Sequence, residues 1–290
     1  MKRIVIIMGV ISAMMLTMAG CAASAAQNDS GIEESSAAAA SSMVAVSSEA
    51  PVSSEPVKLI LPDTENTTGK LLIQTVNSSK QYPYTSYAIT STGGETLIVD
   101  PCAMPGKEIV DLKPAAILST HNHPDHTDPV YTKAYDCEKI ICEKGEVTTK
   151  DFHIYTVASS HSSDTFDEDS KHVCMVIEVD GLRLVHMGDT GQTKLTDDQL
   201  AKLGKIDIAF MQFENSFSGM TLENEKGFNL ANQLNPTLLI PTHYTDKALP
   251  VLTERYGDIT EVENKLAASK DDLPEKAMTV YRITNTHKYK

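Results

Sequence analysis

Apolar residues come in short runs of four to eight from about Val57 onward, each bounded by turn residues. Runs of that length read as strands, not helices. Leu71 to Val76 is the first. Tyr84 to Thr90 and Glu95 to Val99 follow, and Gly93-Gly94 between them is a hairpin signal. Pro114 to Thr120 is continuously apolar before its last two residues, the pattern of a strand buried on both faces. Lys139 to Cys142 and Phe152 to Val157 read as further strands. Val173 to Val179 and Leu182 to Met187 flank Asp180-Gly181, the strongest hairpin signature in the chain. Helical and extended segments then alternate. Leu195 to Leu203 predicts a helix and Ile206 to Met211 a strand. Leu222 to Leu234 predicts a helix with Phe228, Ala231 and Leu234 on one face and Thr221 as its N-cap. Asn235-Pro236 stops it. Thr237 to Ile240 is a strand, Asp246 to Tyr256 a helix and Met278 to Ile283 a closing strand. Strands with interspersed helices suit two sheets with helices outside them, in the α+β class.

The first 56 residues have a different grammar. Lys2 and Arg3 precede an apolar stretch from Ile4 to Met18, too short for a comfortable membrane span. It ends at Leu16-Thr17-Met18-Ala19-Gly20-Cys21, which resembles a bacterial lipobox. Residues 1–20 are therefore expected to be a lipoprotein signal peptide, with Cys21 lipidated as the new N-terminus. Two or three acyl chains would hold the protein on a membrane through this anchor alone. Residues 21–56 are Ser-, Ala- and Glu-rich without apolar period and read as a disordered tether reaching about 30 Å. Residues 57–290 remain for one folded domain. The expected location is the bacterial cell surface or the periplasmic face.

The net charge of −14 repels polyanions, and there is no Trp, so a nucleic-acid partner is excluded. A small-molecule substrate is expected instead. Four cysteines besides Cys21 include Cys137 and Cys142, which could pair across a short loop or stay as free thiols.

The chemistry concentrates in His121-Asn122-His123-Pro124-Asp125-His126, directly after an apolar run. Four ligand-type side chains in six positions cannot converge from a straight strand, whose neighbours point to opposite faces. A turn can aim His121 and His123 at one ion, and Asp125 and His126 at another. Imidazoles with a carboxylate suit a borderline divalent metal. Composition alone would produce such a motif on the order of once in a thousand chains of this kind. Two ions need further donors, and candidates stand where later strands end: His161, Asp189 and His243. Asp189 has two oxygens and can bridge. His186 and Thr190 flank Asp189 and are candidates for supporting bonds. Tyr244, beside His243, could donate to substrate or simply pack. His153, His172 and His287 read as surface or structural.

The order HxHxDH, then His161, then Gly188-Asp189-Thr190, then Thr242-His243-Tyr244, resembles the metallo-β-lactamase superfamily from about Leu71 to Tyr256. Phe217-Ser218-Gly219-Met220-Thr221 resembles a stretch in the branch of bacterial metal-dependent hydrolases that includes ascorbate-phosphate lactonase. The resemblance implies an αββα sandwich, with His121, His123 and His161 on one metal, Asp125, His126 and His243 on the second, and Asp189 between them. It implies two divalent ions, Zn first and Mn or Fe as alternatives. Asp125 is the implied catalytic residue, orienting a nucleophilic water and passing a proton. His123 stands where the oxygen-reducing di-iron branch carries Glu, which excludes that redox chemistry. The implied activity is hydrolysis of an acyl or phosphoryl ester or lactone outside the cytoplasm. A phosphorylated sugar lactone is mostly cytosolic, so export moves the expected substrate away from it. A β-lactamase and a non-catalytic metal- or ligand-binding lipoprotein are the competing readings.

Overall fold

The computed structural model describes residues 58–289. The predicted signal peptide, the lipidation site Cys21 and the whole of the tether lie outside the described residues. Contacts separate a unit that begins at Ser54 and runs to the end of the chain; everything below concerns that unit.

Its elements, in chain order, are β1 (Leu71–Thr75), β2 (Tyr87–Thr90), β3 (Thr96–Val99), β4 (Ala116–Ser119), α1 (Pro129–Ala134), β5 (Glu138–Ile141), β6 (Glu146–Thr148), β7 (His153–Ser159), β8 (His172–Val179), β9 (Leu182–His186), α2 (Asp197–Leu203), β10 (Ile208–Met211), α3 (Lys226–Leu234), β11 (Leu238–Pro241), α4 (Ala248–Tyr256), β12 (Thr260–Glu263), β13 (Lys265–Ala268) and β14 (Thr279–Thr284). A six-stranded sheet has the order β13-β1-β2-β3-β4-β5, and an eight-stranded sheet the order β12-β14-β11-β10-β9-β8-β7-β6.

Alternation along the strands makes the layers. Leu71, Ile73, Leu97, Val99 and Leu118 of the first sheet pack against Ile154, Met175, Ile177, Leu184 and Phe210 of the second. The opposite face of the second sheet, with Val176, Val185, Ala209 and Leu239, is covered by Leu203, Phe228, Ala231 and Leu252 from the helices. The outer face of the first sheet, with Val76, Ala88, Ile98 and Ile117, is covered by Tyr131 of α1, Tyr135 beside it and the Met104–Leu112 loop. The result is helix, sheet, sheet, helix, as the two-sheet expectation required.

Direction matters more for the site than layering does. β3, β4 and β5 are parallel, and so are β9, β10 and β11. β7 runs the same way as β9, since each is antiparallel to β8. The carboxyl ends of these strands therefore open at one edge of the sandwich, the place where such sheets build sites.

Two local expectations need correction, and one open alternative is decided. The helix expected from Leu222 begins at Lys226, after Glu225 in the left-handed region with no side-chain cap. Thr221 instead accepts from the Asn224 backbone N–H in the preceding turn. The helix expected from Leu195 starts at Asp197, because Thr196 and Gln199 form a reciprocal capping box there. Cys137 and Cys142 are free. They flank β5, and an intervening four-residue strand sets them about 16 Å apart, far beyond disulfide reach.

Candidate metal centre

The motif loop leaves β4 through Thr120 and turns tightly: the His126 N–H donates to the His123 carbonyl at 2.9 Å, and the Thr127 hydroxyl to the same oxygen at 3.1 Å. Asp128 then caps α1 by accepting from the Val130 and Tyr131 N–H groups. The turn keeps His121, His123, Asp125 and His126 at one place. His161 arrives two residues after β7, Asp189 three after β9 and His243 two after β11. All seven predicted ligand residues thus meet, in two groups: His121, His123, His161 and Asp189, and Asp125, His126, Asp189 and His243. Within each group the donor atoms lie within 4.8 Å of one another.

The distances test the fit to a metal. Asp189 Oδ2 is 3.6 Å from both His121 Nε2 and His161 Nε2. Its other oxygen, Oδ1, is 3.3 Å from His126 Nε2 and 3.7 Å from His243 Nε2. Asp125 Oδ2 is 3.5 Å from His126 Nε2 and 3.3 Å from His243 Nε2. A tetrahedral shell with donors about 2.1 Å from the ion has edges of about 3.4 Å. These separations are long for charge-assisted hydrogen bonds and match such edges. His121 Nε2, His126 Nε2, His161 Nε2 and Asp189 Oδ1 are also buried without a hydrogen-bond partner. Leaving each orphaned would cost about 1–3 kcal/mol, so the donor set fits divalent ions and is costly without them.

Electrostatics follow the same division. Burial opposes ionisation of Asp189, but the imidazoles of His243, His126 and His161 hold its carboxyl below the usual range. Asp125 is depressed too: burial opposes this, and the adjacent imidazoles of His126 and His243 outweigh it. His121 is pushed down by burial and by neighbouring imidazoles, which leaves it neutral and able to ligate.

A surrounding layer orients these groups. Asp100, fully buried at the end of β3, lies 2.6 Å from His126 Nδ1. It also accepts from the Thr120 N–H at 2.7 Å and the Thr120 hydroxyl at 2.9 Å. Asn215 Nδ2 donates to Asp189 Oδ2 at 2.7 Å. His172 Nε2 accepts the Asp189 backbone N–H at 2.8 Å, so its proton sits on Nδ1 and is donated to Ser159 Oγ at 2.6 Å. Burial lowers the His172 pKa to about 3 and keeps this tautomer neutral. Gly188 has φ +51°, and a Cβ there would stand 2.7 Å from His172 Nε2 and from Thr120 Oγ1. No other residue fits that crossing.

Asp100, Asn215 and His172 escape sequence reasoning. Of the two readings for His172, surface or structural, the structural one holds: it is buried and braces the Asp189 loop. Asp100 carried one usable signal, an acid immediately after the apolar run Leu97-Ile98-Val99, at a strand end where the ligands also stand. The expected supports hold unevenly. Thr190 donates to the Met187 carbonyl at 2.6 Å and tightens the loop. His186 Nδ1 is 3.5 Å from Asp100 Oδ2, one step further out. Tyr244 touches no ligand through its hydroxyl, which accepts from Arg282 Nε at 2.8 Å. Its ring stacks on Tyr84.

A cavity of about 600 Å³ opens beside the second donor group, with Asp125, Asn215 and His243 in its wall. Substrate can reach the centre there.

Residues 80–243, more than half of the chain, match the family described as a beta-lactamase superfamily domain. The chain belongs to the metallo-β-lactamase superfamily. Among curated superfamily relatives, it is 27% identical over 180 residues to a UPF0173 metal-dependent hydrolase of Pyrococcus furiosus, covering 52% of this chain and 78% of that one. A UPF0173 metal-dependent hydrolase of Natranaerobius thermophilus is 27% identical over 200 residues, covering 60% and 87%. Among solved structures, a Zn-dependent hydrolase of the metallo-beta-lactamase superfamily from Thermotoga maritima superposes with TM-score 0.54 at 20% identity, over 74% of this chain and 100% of the other. A metal-dependent hydrolase from Parabacteroides distasonis does so at 0.50 and 21%, over 74% and 92%. At such identities the two structures speak for the fold alone.

Proposed function

We propose that this superfamily member hydrolyses an acyl or phosphoryl ester or lactone of small-molecule size with two divalent ions. At the coarser level it is a metal-dependent hydrolase, as its curated relatives are named. The observation that carries the finer reading is the split of Asp189: one oxygen faces His121 and His161, the other His126 and His243. A carboxylate so divided could hold two ions at once.

Bound divalent ions supply a water of lowered pKa and polarise the scissile oxygen. The chain's own groups do the rest. Asp189, held by Asn215 and by the His172-braced backbone, is fixed and buried and exchanges no protons. Asp125 has a side chain only 14% exposed, at the cavity wall. Its depressed pKa keeps it ionised, so it accepts a hydrogen bond from the attacking water, takes the proton that this water loses on attack, and passes that proton to the leaving group. Asp100 fixes the His126 ring so that Nε2 faces the centre. Five imidazoles and two carboxylates favour Zn, with Mn or Fe as alternatives.

The lipobox-like run ending at Cys21 supports an exported, membrane-anchored enzyme acting on molecules outside the cytoplasm. The likeness to the ascorbate-phosphate lactonase branch supports a lactone or ester as the reacting bond.

Treating the purified protein with a chelator should abolish hydrolysis of a chromogenic ester and phosphodiester panel, and adding Zn or Mn should restore it. Asp125→Asn, loaded with metal, should lose about 10²–10⁴-fold in kcat. Full turnover by a metal-loaded Asp125→Asn protein would sink the role of Asp125. Two bound metals with no activity across the panel would favour a binding lipoprotein.

A further inference from the structure

The cavity beside Asp125 and His243 has a wall chemistry that metal binding does not require. Tyr84, ahead of β2, and Tyr244, after β11, stack with ring centroids 4.6 Å apart and planes 19° from parallel. Arg282 on β14 locks both: Nε donates to the Tyr244 hydroxyl at 2.8 Å and Nη2 to the Tyr84 hydroxyl at 3.1 Å. Its remaining strong contact is Nη1 to Glu261 Oε1 at 2.6 Å. Three remote segments thus build a rigid aromatic wall whose polar ends are already occupied. Rigid aromatic surface binds at low entropic cost. Phe217 lines the same cavity while 75% exposed, and its ring lies 6.4 Å from that of His123. It therefore borders both the cavity and the first donor group. Pro83 and Met220 add apolar surface.

Charge in this cavity is scarce. Among the described lining residues, Lys80 is the one lysine or arginine, and it is exposed. Glu214 is engaged by the Thr245 N–H at 2.8 Å and the Thr245 hydroxyl at 2.5 Å. Recognition of a phosphate group uses convergent arginines, lysines or a helix N-terminus, and this wall offers none of those as a set. Burying an unpaired charge here would be costly.

We propose that this cavity is a subsite for the non-reacting part of the substrate, and that it takes an uncharged aromatic group attached to the scissile acyl centre. The proposal rests on the hydrolytic reading above and narrows it to neutral aryl esters, lactones or amides. Tyr84, Tyr244 and Phe217 are its specificity residues, and Arg282 is a positioning residue acting through the two tyrosines.

The test uses the full metal-loaded protein. Hydrolysis of methyl 2-naphthoate and methyl cyclohexanecarboxylate is followed by proton release, which avoids an aromatic leaving group. In parallel, naphthalene-2-carboxamide is titrated calorimetrically. The naphthoate should be preferred in kcat/KM by tenfold or more. Tyr84→Ala should remove most of that preference through KM, and should weaken carboxamide binding about tenfold, the scale of one lost aromatic contact with its buried area. Phe217→Ala, at an exposed position that places no demand on folding, should act in the same direction. Hydrolysis without aromatic preference would overturn the proposal. So would absent carboxamide binding or binding indifferent to both variants. Failure of both esters alongside Tyr84-dependent carboxamide binding would remove the acyl-ester reading and leave the subsite standing.

Discussion

At the scale of single residues, the site depends on partners that are remote in sequence. The seven candidate ligands were legible because four share one turn and three stand where apolar runs end. Asp100 and His172 were not, because their work is defined by residues 26 and 17 positions away. No local pattern records such a bond; only the packing of β3 beside β4, and of β8 beside β9, creates it. Asp100 also carries a direct test. Burial opposes its ionisation, yet the His126 and His186 imidazoles and the bonds from Thr120 hold its carboxyl below the usual range. Asp100→Asn keeps the shape and removes the charge behind His126. Metal affinity should fall about 10- to 100-fold, measured by competition with a chromogenic chelator. Unchanged affinity would mean that His126 is positioned by packing alone.

Among the elements, the strands that sequence patterning missed share one property. β6, β12 and β13 are all edge strands, and β12 and β6 are mostly exposed along their lengths. Their residues, Thr260-Glu261-Val262-Glu263 for instance, follow the rule that edges carry charge against aggregation. Hydrophobic periodicity cannot find a strand whose place is set by backbone pairing. α1 was missed for another reason: six residues are too few for a helical period, although Asp128-Pro129 is a legible start signal. The β6 edge carries a pH-dependent contact. His153 lies 2.8 Å from Glu178 on β8 and 2.8 Å from Glu146 on β6. The Glu178 and Glu146 bonds raise its pKa above the ordinary value. A raised pKa stabilises the fold fully below about pH 6.5, the unfolded value, and that contribution is lost as pH rises through the folded value. The pair is partly solvated, so screening limits it to about 0.5 kcal/mol. His153→Gln should therefore lower the denaturation midpoint at pH 6 and leave it nearly unchanged at pH 9. Equal effects at both pH values would contradict the ion-pair account.

For the whole molecule, two sheets place the carboxyl ends of their parallel strands at one edge, and the metal centre is where those ends converge. The two-sheet architecture was legible because nearly every inner strand is a short apolar run. The same convergence ties stability to metal. The buried His121, His126 and His161 nitrogens without hydrogen-bond partners gain partners on ligation, and a ligand that binds the native state alone stabilises it by about 2.7 kcal/mol at a hundredfold excess over Kd. Removing metal should lower Tm by roughly 5–10 °C, read by calorimetry before and after chelation, with recovery on adding the ion back. A Tm indifferent to chelator would place the donor set outside the fold's energetics.

The central claim is that His121, His123 and His161 serve one ion, that Asp125, His126 and His243 serve a second, and that Asp189 is common to both. Elemental analysis of the purified protein, wild type beside Asp189→Ala, measures this most directly. The account predicts two divalent ions per chain in the wild type and a marked loss of both in the variant. One ion per chain in the wild type, or two retained without Asp189, would contradict it.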